Sequence, residues 1–98
     1  MIDIRKLLDG WKIEYATTGS NVAKGNVNVK CPMCGMADKS EHMGIKLSNG
    51  IWGCWRNKAH RGSNLAYLLQ SLLEISYTEA KRLVGDDVTK VDEDALEQ

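Results

Sequence analysis

Apolar residues near the N-terminus of the chain recur with the period of a helix. They are Ile4, Leu7, Leu8 and Trp11. Asp3 precedes them and offers a carboxylate as an N-cap. The pattern therefore predicts a short first helix that keeps Trp11 in the core.

Residues 17–25 are rich in loop-forming residues. After them, apolar residues recur at every second position. From Asn26 to Lys30 polar and apolar residues alternate, with Val27 and Val29 on one face. This alternation is typical of a strand, and it leads directly into Cys31.

Alternation returns between residues 43 and 56 and predicts a hairpin. Asn49-Gly50 is typical of a two-residue type I′ turn, which would pair Leu47 with Trp52 and Ile45 with Cys54. These four residues would then share the core face, because a strand shows alternate residues to opposite sides. The other, open face would carry Gly44, Lys46, Gly53 and Trp55.

Helical spacing resumes after residue 62. Ser63 is the predicted N-cap of a helix with a broad apolar stripe and with Tyr67 in the core. Ser76 and Glu79 form a predicted capping box for a further helix that ends at Gly85. The stripe consists of Leu65, Leu68, Leu69, Leu72 and Leu73.

Length and composition indicate one small domain. A chain of 98 residues buries limited apolar surface, and a metal ion is a common additional staple. Three cysteines argue against a closed disulfide framework and favour a reducing, cytoplasmic setting. No pattern predicts a signal peptide or a membrane span, so no membrane partner is expected.

The net charge of zero hides an uneven distribution. Residues 30–61 hold six bases against two acids, a net +4, whereas residues 85–98 hold six acids and one lysine, a net −5. A basic middle and an acidic end are predicted. We expect residues 86–98 to form an acidic linker or a disordered tail.

The cysteines and one histidine have the spacing of a metal site. Cys31-Pro-Met-Cys34-Gly allows two thiolates to reach one ion, and the predicted hairpin returns Cys54 beside them, with His60 six positions later. Thiolates and imidazole suit one structural zinc ion. A filled shell leaves no open position, so no metal catalysis and no catalytic residues are predicted.

Other interpretations of these residues stay open. His42 is an alternative fourth ligand in place of His60, although it lies before the hairpin. An iron–sulfur cluster, a redox-active cysteine pair and three cysteines without any metal are further alternatives. The preferred prediction is an α+β zinc-binding domain over residues 1–85, with a small zinc-ribbon-like antiparallel sheet and flanking short helices.

The order of these features resembles the zinc-binding domain of bacterial and phage DNA primases. The matching stretches are Val27 to Pro32, Gly44 to Leu47, Trp52 to Cys54, and Gly62 to Leu69. The resemblance spans about Ile2 to Gly85. The second pair, Cys54 and His60, is spaced more widely than the Cys-x-x-Cys of that family, and the catalytic polymerase domain is missing from this chain.

The resemblance implies a non-catalytic domain that binds single-stranded DNA template and helps select where RNA primer synthesis starts in DNA replication. It implies the polymerase and helicase domains of a primosome as partners, in cis or in trans. Single-strand binders combine cations with aromatic platforms. The candidate nucleic-acid-binding residues are Lys30, Lys46, Trp55, Arg56, Lys58 and Arg61.

Two rival functions are compatible with the sequence. One is a stand-alone zinc adaptor that binds a protein partner through the apolar helices. The other is a small regulator of duplex DNA, which is weaker because the helix from Ser63 to Leu73 has no Lys or Arg to enter a major groove.

Overall fold

A computed structural model describes residues 2–35 and 40–85. Three helices and a four-stranded antiparallel sheet form a small α+β fold, which confirms the predicted class. The elements are α1 (Ile4–Gly10), β1 (Asn26–Val29), β2 (Met43–Lys46), β3 (Trp52–Cys54), β4 (Arg61–Gly62), α2 (Leu65–Leu72) and α3 (Tyr77–Gly85). The predicted acidic tail, with Asp38 and Lys39 of the basic middle, lies outside the described residues.

The sheet follows the chain, in the order β1-β2-β3-β4. One face packs on the helices and buries Val27, Val29, Met43, Ile45 and Trp52. The opposite, open face follows from strand alternation: Gly44 lies opposite Gly53, and Gly53 lies opposite Arg61. The core and the open face are thus the two sides of one sheet, and the second side is open at β2–β4 but covered at Asn28 of β1.

The hairpin register differs from the predicted one by two residues. Met43 pairs with Cys54 and Ile45 with Trp52, so the loop contains four residues instead of two. The Leu47 amide donates to the Gly25 carbonyl oxygen at 3.0 Å, continuing the contact with β1 instead of pairing with Trp52. A type I′ turn requires positive φ at both central residues, but here only Gly50 has it, at 77°.

Two aromatic residues predicted in the core are exposed. Trp11 is 38% exposed because α1 ends at Gly10 and the chain turns away at this C-cap position. Tyr67 is 52% exposed because it lies on the outer side of Trp52, with the two rings stacked at a centroid distance of 6.1 Å. The predicted burial of Trp52 is confirmed, at 4% exposed.

The helix caps agree with the sequence in two cases out of three. Asp3 accepts from the Lys6 amide, and Ser76 Oγ accepts from the Glu79 amide, which is one half of the predicted capping box. The cap of α2 is Asn64, whose side chain accepts from the Tyr67 amide, and not Ser63. The helix begins one residue later than predicted because Asn64 also accepts the Trp52 indole N–H on its carbonyl oxygen, which fixes it in extended backbone.

Within the described residues, no helix has both the length and the apolar character needed to cross a bilayer.

Candidate metal centre and adjoining trough

Three separate segments bring four ligand side chains together. Cys31 and Cys34 come from the turn after β1, Cys54 ends β3, and His60 immediately precedes β4. The three sulfur atoms and one imidazole nitrogen all lie within 4.8 Å of one another, a group that can hold a metal ion. The grouping includes His60 and not His42.

Local backbone hydrogen bonds position both pairs of side chains, Cys31 with Cys34 and Cys54 with His60. The Gly35 amide donates to the Cys31 carbonyl oxygen at 3.1 Å, and Gly35 has a φ of 59°, so the chain turns tightly beneath the first two cysteines. The Cys54 amide donates to the His60 carbonyl oxygen at 2.9 Å. This bond closes the five-residue segment between them and brings His60 beside Cys54.

The distances between ligand atoms fit a tetrahedral ion. Cys34 Sγ lies 3.7 Å from Cys54 Sγ, and His60 Nδ1 lies 3.5 Å from both Cys31 Sγ and Cys34 Sγ. A tetrahedron with Zn–S near 2.3 Å and Zn–N near 2.0 Å has edges of about 3.8 Å between sulfurs and about 3.5 Å between sulfur and nitrogen. Three of the six distances between ligand atoms therefore match the edges of a four-coordinate shell.

The thiol environments differ. Burial is the largest effect on Cys31 and raises its pKa to about 12, against backbone N–H groups of Cys34 and Met33 that lower it. Burial also raises the pKa of Cys54, but the N–H groups of Asn57 and Arg56 oppose it and leave that pKa below its ordinary value. Several buried thiolates this close together need a cation to compensate their charge, as a divalent metal does.

A trough lies on the open face beside this cluster. We define the trough as the cavity of about 560 Å³ whose floor is Gly44 and Gly53 and whose walls include Asn26, Lys46, Trp55, Lys58 and Arg61. Cys54 also borders it, so the cluster and the trough share strand β3. Among the described residues, no acidic side chain lines the trough.

Four of the six candidate nucleic-acid-binding residues meet in this trough. Trp55 is 64% exposed and stands on the same face as the floor glycines. Arg56 is exposed but does not line the trough, and Lys30 lines a separate cavity of about 270 Å³. The basic residues of the middle segment therefore divide between two surfaces.

Sequence reasoning missed two asparagines beside Gly44. Asn26 lines the wall, and Asn28 is fully buried in β1 with its side-chain amide beside Gly44. Their strand was predicted from Val27 and Val29, and no role was assigned to the intervening asparagines. The available signal was an Asn-Val-Asn-Val run in which the polar positions oppose Lys46 and Gly44.

No protein-family model, no curated protein and no solved structure matches this chain.

Proposed function

We propose that the chain is a zinc-binding module that binds single-stranded DNA template for a DNA primase. The single observation that carries the binding proposal is the trough, where an exposed tryptophan and three cations share one surface. The zinc proposal has a separate basis in the donor set, and the primase proposal has a third basis in the order of motifs.

Zinc is the metal that suits these ligands best. Three thiolates and one imidazole in a tetrahedron are typical of structural zinc sites, whereas magnesium and calcium prefer oxygen ligands. Since all four positions are filled by protein, the ion would hold the turn after β1 against the end of β3 and would not bind substrate. The ion is thus a staple that sets the position of the neighbouring trough.

The trough offers what a flexible single strand needs. Nucleobases stack on exposed aromatic rings whatever their identity, and each stacked base contributes about 1–3 kcal/mol. Lys46, Lys58 and Arg61 lie within the same cavity as the Trp55 ring, where they can contact the phosphates that flank a stacked base. A surface with few cations can neutralise few phosphates, so we expect weak, salt-sensitive binding.

The primase part of the proposal rests on the chain's order of features. A short helix, a strand, a two-cysteine turn, a hairpin, a second ligand pair and an apolar helix follow one another as in the zinc-binding domains of bacterial and phage primases. In that setting the module would help to choose the initiation site for RNA primers, with polymerase and helicase domains as partners. Synthesis itself would belong to the polymerase domain.

The test is a titration of isotopically labelled, zinc-loaded protein with short single-stranded oligonucleotides, monitored by amide chemical shifts. We expect shifts at Lys46, Trp55 and the segment 56–61, with an affinity that falls as salt is added. Trp55→Ala should weaken binding several-fold without loss of fold. Trp11→Ala is the matched control, because that ring is also exposed but lies outside the trough.

A second candidate function, a protein-binding adaptor, is favoured by exposed aromatic rings on the helical side. Tyr67 and Tyr77 are 52% and 39% exposed, and Asn64 Nδ2 donates to the Tyr77 hydroxyl oxygen. Amide shifts confined to α2 and α3, or equal losses in Trp55→Ala and Trp11→Ala, would contradict template binding at the trough. A protein-binding adaptor that uses the exposed aromatic rings of α2 and α3 would then be the better explanation of the data.

A further inference from the structure

Two asparagine amides flank one point on the floor of the trough. A Cβ atom placed on Gly44 would lie 3.2 Å from Asn26 Nδ2 and 3.3 Å from Asn28 Oδ1. The two asparagines are alternate residues of β1, opposite Lys46 and Gly44 of β2. Because Gly44 has no side chain, a hydrogen-bond donor and an acceptor stand near each other over bare backbone.

The acceptor of this pair has no partner. Asn28 is fully buried, and its Nδ2 donates to the carbonyl oxygens of Asn21 and Glu41 at 3.1 and 3.0 Å, which fixes the orientation of the amide. Its Oδ1 is the one buried side-chain nitrogen or oxygen among residues 2–35 and 40–85 without a hydrogen bond. Such an atom is costly unless something donates to it.

The chemistry of the pair favours a nucleobase over a phosphate. A phosphate offers only acceptors at neutral pH, so it would meet the Asn28 oxygen unfavourably. The Watson–Crick edge of every base presents an N–H donor next to an acceptor, which is the complement of Asn28 Oδ1 and Asn26 Nδ2. In adenine and cytosine the donor is the exocyclic amino group and the acceptor is a ring nitrogen, whereas in guanine and thymine the donor is a ring N–H and the acceptor is an exocyclic oxygen. An amide pair in fixed positions therefore distinguishes these two classes of base. That edge is accessible only in an unpaired base, and Trp55 supplies a stacking ring in the same cavity.

We propose that the trough binds one unpaired nucleobase by its Watson–Crick edge and thereby discriminates between bases, an inference that rests on the proposed binding of single-stranded DNA. Asn26 Nδ2 donates to an acceptor of the base, and Asn28 Oδ1 accepts from the adjacent N–H. The half-buried Asn26 side chain turns outward to admit the edge, since Asn28 Oδ1 is covered in the free protein. Lys46, Lys58 and Arg61 contact phosphates and are indifferent to the base.

The test uses five-nucleotide strands in which only the central nucleotide carries a base, flanked by abasic sugars. Affinities of the metal-loaded full chain for strands with A, C, G or T are measured by amide-shift titration, with a fully abasic strand as reference. We expect the best and the worst base to differ by roughly five-fold or more, the discrimination typical of a paired amide contact.

Gly44→Ala places a methyl group at the point between the two amides. We expect the base ranking to flatten to within about two-fold, and the preferred base to lose more affinity than the fully abasic strand, which depends on phosphate contacts. Gly10→Ala is the matched control outside the trough, because its Cβ position is open and it lines no part of the cavity. It should keep the wild-type ranking.

Asn26→Asp tests the same pocket without relying on a glycine position. It replaces the donor by an acceptor of the same shape, so it should reorder the four bases as well as weaken all strands. Equal affinity of the wild type for all four bases, or an unchanged ranking in both Gly44→Ala and Asn26→Asp, would overturn base reading and leave single-strand binding intact. An absence of salt-sensitive binding to any strand, including ordinary oligonucleotides, would overturn both.

Discussion

At the scale of single residues, the Cys31–His60 cluster shows which candidate metal ligands can be predicted from their spacing in the sequence. The Cys31-x-x-Cys34 spacing was sufficient to predict that these two thiols converge, because two intervening residues allow little else. The choice between His60 and His42 needed three-dimensional information. The backbone bond from Cys54 to His60 places His60 in the cluster.

His60→Ala should abolish stoichiometric zinc binding, and His42→Ala should retain it. The reason is that His60 Nδ1 lies 3.5 Å from two of the cysteine sulfurs, at the fourth corner of the tetrahedron. Native mass spectrometry of the two variants beside the wild type, which should carry one zinc per chain, measures this directly. Full zinc in His60→Ala together with loss in His42→Ala would show that the assigned ligand is wrong.

Trp52→Ala should destabilise the fold by about 3–5 kcal/mol, as large core truncations do. The indole is 4% exposed, stacks on Tyr67 and donates to the Asn64 carbonyl oxygen at 2.9 Å. Trp55→Ala is the matched control, since a ring that is 64% exposed loses little on truncation. Chemical denaturation of both zinc-loaded variants separates them, and equal losses would contradict the assignment of Trp52 to the core.

At the scale of elements, the hairpin shows why faces are easier to predict than registers. Alternation of Ile45, Lys46 and Leu47 identified the strand, but it carries no information on loop length. The observed pairing is displaced by two residues, an even number, so each strand keeps its side chains on the predicted face. The open face with Gly44, Gly53 and Trp55 was therefore predictable even though the pairing was not.

The helix boundaries depended on contacts that lie outside the helices themselves. Ser63 and Asn64 are both good N-caps in the sequence, and the choice of Asn64 follows from its bond with the distant Trp52 indole. Asn28 is the same kind of case, because its burial depends on the carbonyl groups of Asn21 and Glu41. Local sequence patterns cannot reveal hydrogen-bond partners that are distant in the chain and meet only in the folded structure.

Gly50→Ala should destabilise the hairpin by about 1–2 kcal/mol, the cost of a left-handed backbone for a residue with a side chain. Gly50 has a φ of 77° at the end of the four-residue loop. Gly10→Ala is the matched control: it ends α1 with no positive φ and with open space around its Cβ position, so it should be neutral or stabilising. Thermal unfolding of the two variants decides, and an equal effect would contradict the loop conformation described above.

At the scale of the whole molecule, a metal ion in the Cys31–His60 cluster would join the two ends of the sheet region. Its ligands span residues 31–60, and the segment between them contains the whole hairpin. The core beneath is small, consisting mainly of one sheet face against α1 and α2. A domain of this size gains a large part of its stability from such a staple.

Removal of the metal should therefore unfold the domain. A strong chelator is expected to collapse amide dispersion and to weaken the circular dichroism of the helices, because metal binding and folding share one free energy in small metal domains. Added zinc should restore both signals. A chelated protein that keeps its full amide dispersion would show that the apolar core is sufficient by itself.

Trp52 and Trp55 stand close together in sequence but in opposite surroundings, one 4% and the other 64% exposed. The chain consequently contains two intrinsic optical probes once Trp11 is replaced by phenylalanine. A base stacked on Trp55 should quench its fluorescence. The emission of Trp52, which is 4% exposed although it also borders the trough, should shift to longer wavelength when water enters the core. A single spectrum recorded during titration or heating would thus follow occupancy of the trough and integrity of the fold as separate signals.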